Sequence, residues 1–362
     1  MRGLALVALV CASVSGVAAP PMYKRSLWIP PAGIPPDAYF LSGSLTNYIV
    51  RGKATTTKID YYAYENGASY SMDSLSVPPF WNPRWANNGL FYSHSGGQSG
   101  SAGYVYDKKW NTAPFELNGH TPTGLLTGQK TYNFPDPRDG IYGNAAIFDP
   151  ATKTIIKEIE IGRYTWCWGG NSKGQFILES DSFDNYVYPG GAFMYDMNED
   201  KIYAMAGVGG NTWRPNHITD AGKVYGQIGG EILSWSKQDG LKSEYFGINF
   251  TSNARIIADL PNGLLFGDSG NVSDTNKGGF FFLQNGQFFD LNDQVIGGLL
   301  PAGYDKWTNY CYMTPEGVIM QALQNSATGK FETHMLTPVP EPATLAALGL
   351  GALLLRRRRM KS

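Results

Sequence analysis

The sequence predicts an all-β protein, most simply a seven-bladed β-propeller. Three observations indicate this fold: the composition favours strands and turns, two short elements alternate along the chain, and the repeat length matches one propeller blade. Of 362 residues, 44 are glycine, 22 are proline and 14% are aromatic, whereas only 16% are charged. Many glycines and aromatic residues with few charges are typical of short strands joined by turns.

The first repeating element is a tight turn followed by an apolar strand. In each copy a polar residue or a Pro-x pair precedes a glycine, which suits a turn that needs a positive φ angle. A degenerate copy occupies residues 45–52. The glycines lie about 46 residues apart on average, the length of a blade with three or four strands. They are Gly89, Gly140, Gly174, Gly222, Gly263 and Gly317.

The second repeating element is a hairpin with an aromatic-rich first arm and a polar tip. Residues 330–338 begin one more arm that has no second arm after it, and we expect them to complete a blade begun near residues 37–52. Six complete blades and one split blade then give seven. Irregular spacing leaves six or eight blades open, and a β-sandwich pair or a solenoid is the alternative fold. The hairpins lie at residues 60–72, 103–117, 145–159, 192–206, 231–246 and 280–292.

The N-terminal residues 1–19 have the features of a secretory signal peptide. Arg2 precedes an apolar stretch, and the small residues Val17–Ala19 supply a cleavage site. The alternative is a buried N-terminal helix. Residues 20–36 are rich in proline and predict an extended lead-in to the repeat domain, which we place at residues 37–338.

The C-terminal residues 339–362 contain three parts in order: a Pro-Glu-Pro triad, an apolar run at residues 343–355 and an arginine cluster. The apolar run has no polar face, which excludes an ordinary surface helix. As a helix it would span about 20 Å, less than the hydrocarbon core of a bilayer, so we expect only transient membrane contact. The triad and cluster are Pro340, Glu341, Pro342, Arg356, Arg357, Arg358 and Arg359.

This three-part order resembles the PEP-CTERM sorting signal of Gram-negative bacteria. The resemblance implies a secreted or cell-surface protein whose tail is removed by an exosortase-type processing protease. Such proteins usually accompany exopolysaccharide and biofilm production. Residues 278–342 also resemble the extracellular HAF-repeat pattern, with Gly279-Phe280-Phe281 in place of His-Ala-Phe. This second resemblance supports the propeller and implies no activity.

Charge and motifs exclude several function classes. The net charge of −1 gives no electrostatic support for a nucleic-acid partner. The sequence has no G-x-S-x-G elbow, P-loop, dinucleotide fingerprint or H-E-x-x-H motif. Gly267-Asp268-Ser269-Gly270 resembles a serine-protease nucleophile segment, but Asn271 follows where that family has glycine. The four histidines are not paired at helical spacing, so we expect no zinc site and no catalytic residues.

Two oxygen-rich loops are the candidate cation sites. Asp196, Asn198 and Asp200 alternate as in an EF-hand loop, although Lys201 stands where such a loop needs glycine. Residues 268–274 are also rich in oxygen ligands. We expect solvated turns at both places rather than structural calcium, and no cofactor.

The two cysteines outside the signal peptide, Cys167 and Cys311, lie seven and six residues before repeat glycines. They therefore look like equivalent positions in blades three apart. Such positions lie well beyond the Cα separation of about 7 Å that a disulfide tolerates. We predict two separate, buried thiols, although export would permit a disulfide.

Tryptophans are the remaining candidates for ligand contact. If their rings are exposed near the propeller axis they can stack on sugars, and if buried they fill space between blades. The leading hypothesis is a non-enzymatic, exported surface protein that binds or organises exopolysaccharide or other surface proteins. The alternative is a propeller-fold glycan lyase or hydrolase, although no pair of carboxylates can be located from spacing. The candidate stacking residues are Trp166, Trp168, Trp213 and Trp307.

Overall fold

The structure, a computed structural model, describes residues 20–54, 59–75, 83–87, 89–93, 102–133, 141–180, 191–205, 213–228, 230–246, 254–260, 263–269 and 279–339. These residues form seven antiparallel sheets of four strands each. The first strands contact one another between blades 1 and 2 and along the series from blade 3 to blade 7, and the first strand of blade 1 contacts blade 7, so the first strands surround an axis from which the sheets radiate as blades. The predicted all-β fold with seven blades is confirmed.

The strands are numbered in chain order, and β1 (Tyr23–Leu27) belongs to blade 7. Blade 1 contains β2 (Tyr39–Gly43), β3 (Asn47–Ala54), β4 (Ile59–Glu65) and β5 (Ala68–Ser71), followed by a 3₁₀ turn (Met72–Leu75). Blade 2 contains β6 (Pro83–Asn87), β7 (Leu90–Ser93), β8 (Gly103–Tyr106) and β9 (Lys109–Thr112). Blade 3 contains β10 (Glu116–His120), β11 (Leu126–Asn133), β12 (Ile141–Asp149) and β13 (Thr154–Ile159).

The remaining blades follow the same order, with the first strand at the axis and the fourth at the outer rim. Blade 4 contains β14 (Thr165–Gly170), β15 (Gln175–Ser180), β16 (Gly191–Asp196) and β17 (Lys201–Met205). Blade 5 contains β18 (Arg214–Ile218), β19 (Val224–Ile228), β20 (Glu231–Ser236) and β21 (Gly240–Phe246). Blade 6 contains β22 (Arg255–Leu260), β23 (Leu264–Asp268), β24 (Phe280–Gln284) and β25 (Gln287–Asp290), followed by helix α1 (Leu291–Gln294).

Blade 7 closes the ring with strands from both ends of the chain. Its strands are β26 (Tyr304–Met313), β27 (Ile319–Asn325), β28 (Phe331–Pro338) and, at the rim, β1. The prediction that residues 330–338 complete a blade begun near residues 37–52 is wrong. Strands β2 and β3 pair with each other inside a complete blade 1, so β28 instead pairs with β1. The segment 20–36 is therefore more than a lead-in, and the propeller begins at Tyr23 rather than at residue 37.

The predicted repeat elements map onto the blades with one error. All six hairpins are the third and fourth strands of blades 1 to 6. The turn glycines at 89, 174, 222, 263 and 317 have positive φ, as predicted. In blade 3, however, the equivalent turn glycine is Gly124, with φ of 93°, and not Gly140. The segment 138–143 instead leads into the third strand β12.

The two faces of the propeller carry different connections. Turns between first and second strands, such as residues 171–174, lie on the same face as the hairpin tips of blades 1 to 6, such as residues 197–200. We call this the turn face. Connections from second to third strands lie on the opposite face, which we call the loop face, and there the chain also leaves each fourth strand. The connection from blade 6 to blade 7 returns toward the turn face, because Val295 pairs with Tyr23 at the start of β1.

Apolar side chains fill the spaces between neighbouring blades. Between blades 6 and 7, Tyr23 of β1 stacks on Phe282 of β24 with ring centroids 5.7 Å apart. Leu336 of β28 lies fully buried in the same cluster. Burying one large apolar side chain stabilises a fold by roughly 1.5–3 kcal/mol. The N-terminal strand therefore contributes a core residue as well as backbone hydrogen bonds.

The cysteines occupy equivalent positions, as predicted. Cys167 faces Leu178 and Cys311 faces Gln321, and each partner lies four residues after its turn glycine. Both sulfurs are thiols, in blades 4 and 7. Cys167 is fully buried, whereas Cys311 is only half-buried, so the predicted burial is wrong in degree for Cys311.

Candidate functional site

Three aromatic side chains follow one another on the axial edge of blade 4. Trp166 and Trp168 alternate along β14 with the buried Thr165 and Cys167, and Tyr164 directly precedes the strand. Tyr164 stacks on Trp166, and Trp168 donates to Glu179, the residue opposite Trp166, so the three rings lie on one side of the strand. We call Tyr164, Trp166 and Trp168 the aromatic strip. It begins at the loop face, where β14 begins.

The rings of the strip are partly open to solvent and held in place. Tyr164 and Trp166 stack with centroids 5.9 Å apart and an interplanar angle of 19°. Trp168 is 38% exposed, and its indole Nε1 donates a 2.9 Å hydrogen bond to Oε2 of Glu179. Glu179 lies on β15 directly opposite Trp166. The strip therefore combines apolar ring faces with one carboxylate.

A β-bulge places Trp168 in this position. The register between β14 and β15 shifts between Cys167 and Gly169, which leaves Trp168 without a partner residue across the ladder. A bulge re-aims the side chain it carries. Blades 1, 2, 3, 5 and 6 have the same register shift on their first strands. The corresponding bulged residues are Leu41, Ala86, Asn118, Asn216 and Ile257.

Close packing against blade 3 supports the bulge. A Cβ atom on Gly119 of β10 would lie 2.0 Å from the carbonyl oxygen of Trp168, so only glycine fits there. Gly169, which follows the bulge, has φ of 146°, a conformation that other L-residues rarely adopt. The two glycines let the first strands of blades 3 and 4 approach and hold Trp168 at the axial edge.

The other two candidate tryptophans differ from this pair. Trp213 is only 2% exposed and belongs to the apolar cluster between blades 4 and 5, so its ring faces are not available to a ligand. Trp307 lies within β26, but its side chain is outside the part of the chain that the structure describes, as are the sorting residues from Pro340 onward. Of the predicted stacking residues whose side chains the structure describes, only Trp166 and Trp168 come together. Sequence reasoning missed Tyr164 and Glu179, which are brought beside them by strand pairing.

The EF-hand-like segment binds lysine side chains. Oδ2 of Asp196 accepts hydrogen bonds from Lys237 and Gln175, at 2.8 and 2.9 Å. Oδ1 of Asp200 accepts a 2.6 Å hydrogen bond from Lys157. The two carboxylates therefore bind different ammonium groups from neighbouring blades. Within the described ranges, no group of three His, Cys, Asp or Glu side chains is arranged to hold a metal ion. Most of the second oxygen-rich segment, residues 268–274, lies outside them.

A second polar cluster lies between blades 2 and 3. The Tyr92 hydroxyl lies 3.2 Å from Nδ1 of His120. Burial, together with the positive charge of Arg84, lowers the pKa of His120 to about 4. Burial also raises the pKa of Tyr92 above its usual value. At neutral pH the imidazole is therefore uncharged and the phenol keeps its proton.

No helix in the described ranges is both long and apolar enough to cross a membrane. A PEP-CTERM protein-sorting motif matches residues 338–359, which confirms the interpretation of the C-terminal tail. The motif marks a protein that is exported and sorted by an exosortase, a membrane protease. No curated protein matches the sequence.

Several solved structures resemble this chain at low sequence identity. The extracellular domain of a B. thetaiotaomicron protein described as a one-component system is 9% identical over 89% of this chain, with a TM-score of 0.47; this chain covers 41% of its length. The β-propeller domain of the Trilobed protease from Pyrococcus furiosus is 11% identical over 84% of this chain and 98% of that domain, with a TM-score of 0.48. Pyrococcus horikoshii acylaminoacyl peptidase is 11% identical over 86% of this chain and 54% of its own length, with a TM-score of 0.49. The chain is a seven-bladed β-propeller that carries a C-terminal PEP-CTERM sorting motif.

Proposed function

We propose that the protein is an exported, non-enzymatic surface protein whose propeller binds a glycan, such as exopolysaccharide, through the aromatic strip. One observation carries the proposal: Trp166 and Trp168 present partly exposed rings beside the carboxylate of Glu179 on the axial edge of blade 4.

The chemistry of the strip suits a sugar. The apolar face of a pyranose packs on an indole ring, and its hydroxyl groups need hydrogen-bond acceptors at the rim of the stack. Glu179 accepts from Trp168 and so places a carboxylate at the rim of the indole ring. Because the indole of Trp168 is fixed by this bond and by the bulge, little side-chain entropy is lost when a ligand binds.

Binding of soluble glucose, galactose and mannose oligosaccharides to the purified protein tests the proposal. Trp168→Ala should weaken binding at least about tenfold, because one stacking surface and the orientation of Glu179 are lost. Phe246→Ala is the matched control, since Phe246 is 72% exposed on the rim of blade 5. Equal affinities of both variants and the parent protein would exclude the strip as the binding site.

A second candidate function, a glycan lyase or hydrolase, is favoured by the cluster of Tyr92, His120 and Arg84. A neutral imidazole beside a protonated phenol can accept and donate protons, and a cation nearby can stabilise a developing negative charge. Turnover of the same oligosaccharides that disappears in His120→Gln would support this candidate. Binding without turnover would support the first.

Processing of the tail tests the export part of the proposal. Deletion of residues 340–362 should leave the propeller folded, because β28 ends at Pro338, but should abolish exosortase-dependent maturation. A change of Arg356–Arg359 to alanine should have the same effect on maturation. Normal maturation of both variants would contradict sorting through this motif.

A further inference from the structure

The chain enters and leaves the propeller at the same point of blade 7. The amide of Val339 donates a 2.7 Å hydrogen bond to the carbonyl oxygen of Met22, next to the pair Tyr23 and Pro338. Strand β28 ends and β1 begins on the turn face. The loop-face end of β14, where the aromatic strip begins, therefore lies on the opposite side of the ring.

The sorting tail starts directly at this point. The matched motif begins at Pro338, the last residue of β28, and the apolar run begins at Ala343. The four residues 339–342 can span at most about 14 Å when fully extended. While the apolar run lies in the bilayer, the turn face of blade 7 must therefore lie close to the lipid surface.

Exposed apolar side chains surround this exit point. Met22 is 42% exposed and Ile296 is 55% exposed, and the amide of Ile296 donates to the carbonyl oxygen of Tyr23. Leu45, 39% exposed, lies in the first turn of blade 1, where its amide donates to Glu316 in the corresponding turn of blade 7. Transfer of such side chains from water into the interfacial region of a bilayer is favourable.

Charged residues are distributed unequally between two sides of the turn face, one formed by blades 4 and 5 and the other by blades 6, 7 and 1. The tips of blades 4 and 5 carry the ion-paired Asp196, Glu199 and Lys237. In the described turns of blades 6, 7 and 1, at residues 44–47, 66–67, 285–286 and 314–317, Glu316 is the one charged residue, and it accepts from the amide of Leu45. Removing charged groups from water is costly, so the side formed by blades 6, 7 and 1 is the one suited to contact lipid.

We propose that Met22, Leu45 and Ile296 form a membrane-contact surface that rests on the lipid bilayer while the sorting tail is attached. This orientation directs the loop face, where the aromatic strip begins, away from the cell. The inference depends on the sorting motif and on the exit point of the chain. It does not depend on sugar binding by the strip.

Hydrogen exchange of the full chain tests this surface, with and without vesicles of phosphatidylethanolamine and phosphatidylglycerol. Amides at residues 44–47 and 295–298 should exchange at least about fivefold more slowly on vesicles. Amides at residues 197–200 and 237–239, in the charged tips of blades 4 and 5, should not change. Equal protection of both sets, protection of the charged tips only, or no protection would overturn the proposal.

Serine substitutions provide the second measurement. The double variant Leu45→Ser and Ile296→Ser should partition onto the same vesicles about tenfold less than the parent. The control, Ile156→Ser with Phe246→Ser, replaces two exposed apolar residues on the rims of blades 3 and 5 and should partition like the parent. Equal partitioning of the two variants would show that the tail alone holds the protein on the vesicles. That result would contradict the proposed surface.

Discussion

Tyr23 and Pro338 face each other across the ladder that joins β1 to β28, which couples the two ends of the propeller. Among the strands that the structure describes, no other blade combines strands from opposite ends of the chain. Because each blade buries its faces only against its neighbours, loss of this pairing would expose two blade interfaces at once. The ring is therefore closed only when β1 pairs with β28 in blade 7.

Arg25 is the side chain that fixes β1 in this position. Its guanidinium donates to the carbonyl oxygens of Gly298 and Leu299 and to Oε1 of Gln321. Arg25→Ala should lower the free energy of unfolding by about 3 kcal/mol, because buried carbonyl groups lose a charged donor. Lys24→Ala, at an exposed position on the same strand, should change it by less than about 0.5 kcal/mol. Urea unfolding measures both, and equal effects would mean that Arg25 does not hold the strand.

Gly119 should tolerate no side chain. In Gly119→Ala the new methyl group would meet the backbone of Trp168, which cannot move without shifting the first strand of blade 4. We expect a loss of at least about 2 kcal/mol. Gly143→Ala is the control, since its nearest neighbour is the side chain of Gln129, and should cost about 1 kcal/mol. A neutral Gly119→Ala would contradict the close approach of blades 3 and 4.

The buried His120 should make stability depend on pH. Its pKa is lowered to about 4 in the folded protein, against about 6.5 in the unfolded chain. The unfolded state therefore binds more protons between these values, so the free energy of unfolding should fall as pH is lowered from 6.5 to 4. Burial also lowers the pKa of His334, so His120→Gln should reduce this dependence without removing it.

The control for this pH dependence is Tyr92→Phe, which removes the hydroxyl partner and leaves a titratable imidazole. Its slope between pH 6.5 and 4 should resemble that of the parent. Denaturant unfolding at several pH values measures the slopes. An unchanged slope in His120→Gln would show that this imidazole is solvated in the folded protein.

The two cysteines should be alkylated separately. After denaturation without reductant, iodoacetamide should modify the peptides containing Cys167 and Cys311, and no peptide should link them. In the native protein Cys167 should react slowly, because burial raises the pKa of its thiol to about 12. A disulfide-linked peptide in the mass spectrum would contradict their placement in blades 4 and 7.

Local patterns were sufficient to predict most of the blade architecture. The hairpins have polar tips between apolar arms. Five of the six predicted turn glycines have positive φ, in blades 2, 4, 5, 6 and 7. The pattern predicts the wrong turn in blade 3, because residues 121–126 and 138–143 both contain a polar residue before glycine and an apolar pair. Only strand pairing distinguishes the two segments, since β11 joins them.

Long-range pairing explains the other errors. β1 has the polar sequence YKRSL within a proline-rich segment, and nothing local indicates that it pairs with residues more than 300 positions away. The bulge at Trp168 and the contact with Glu179 likewise depend on register between strands. By contrast, the spacing of the cysteines from the turn glycines was enough to place them correctly, because both residues lie within one hairpin.

A cross-link between β1 and β28 tests the closure of the seven-bladed ring most directly. Leu27 and His334 face each other at a non-hydrogen-bonded pair, where Cα atoms lie about 4.5 Å apart, within the range for a disulfide. In a chain with Cys167 and Cys311 changed to alanine, Leu27→Cys with His334→Cys should form a disulfide quantitatively under mild oxidation. Val50→Cys with His334→Cys, which represents closure through residues 37–52, should not. The reverse result would show that another segment completes blade 7 and that the ring is not closed by the N-terminal strand.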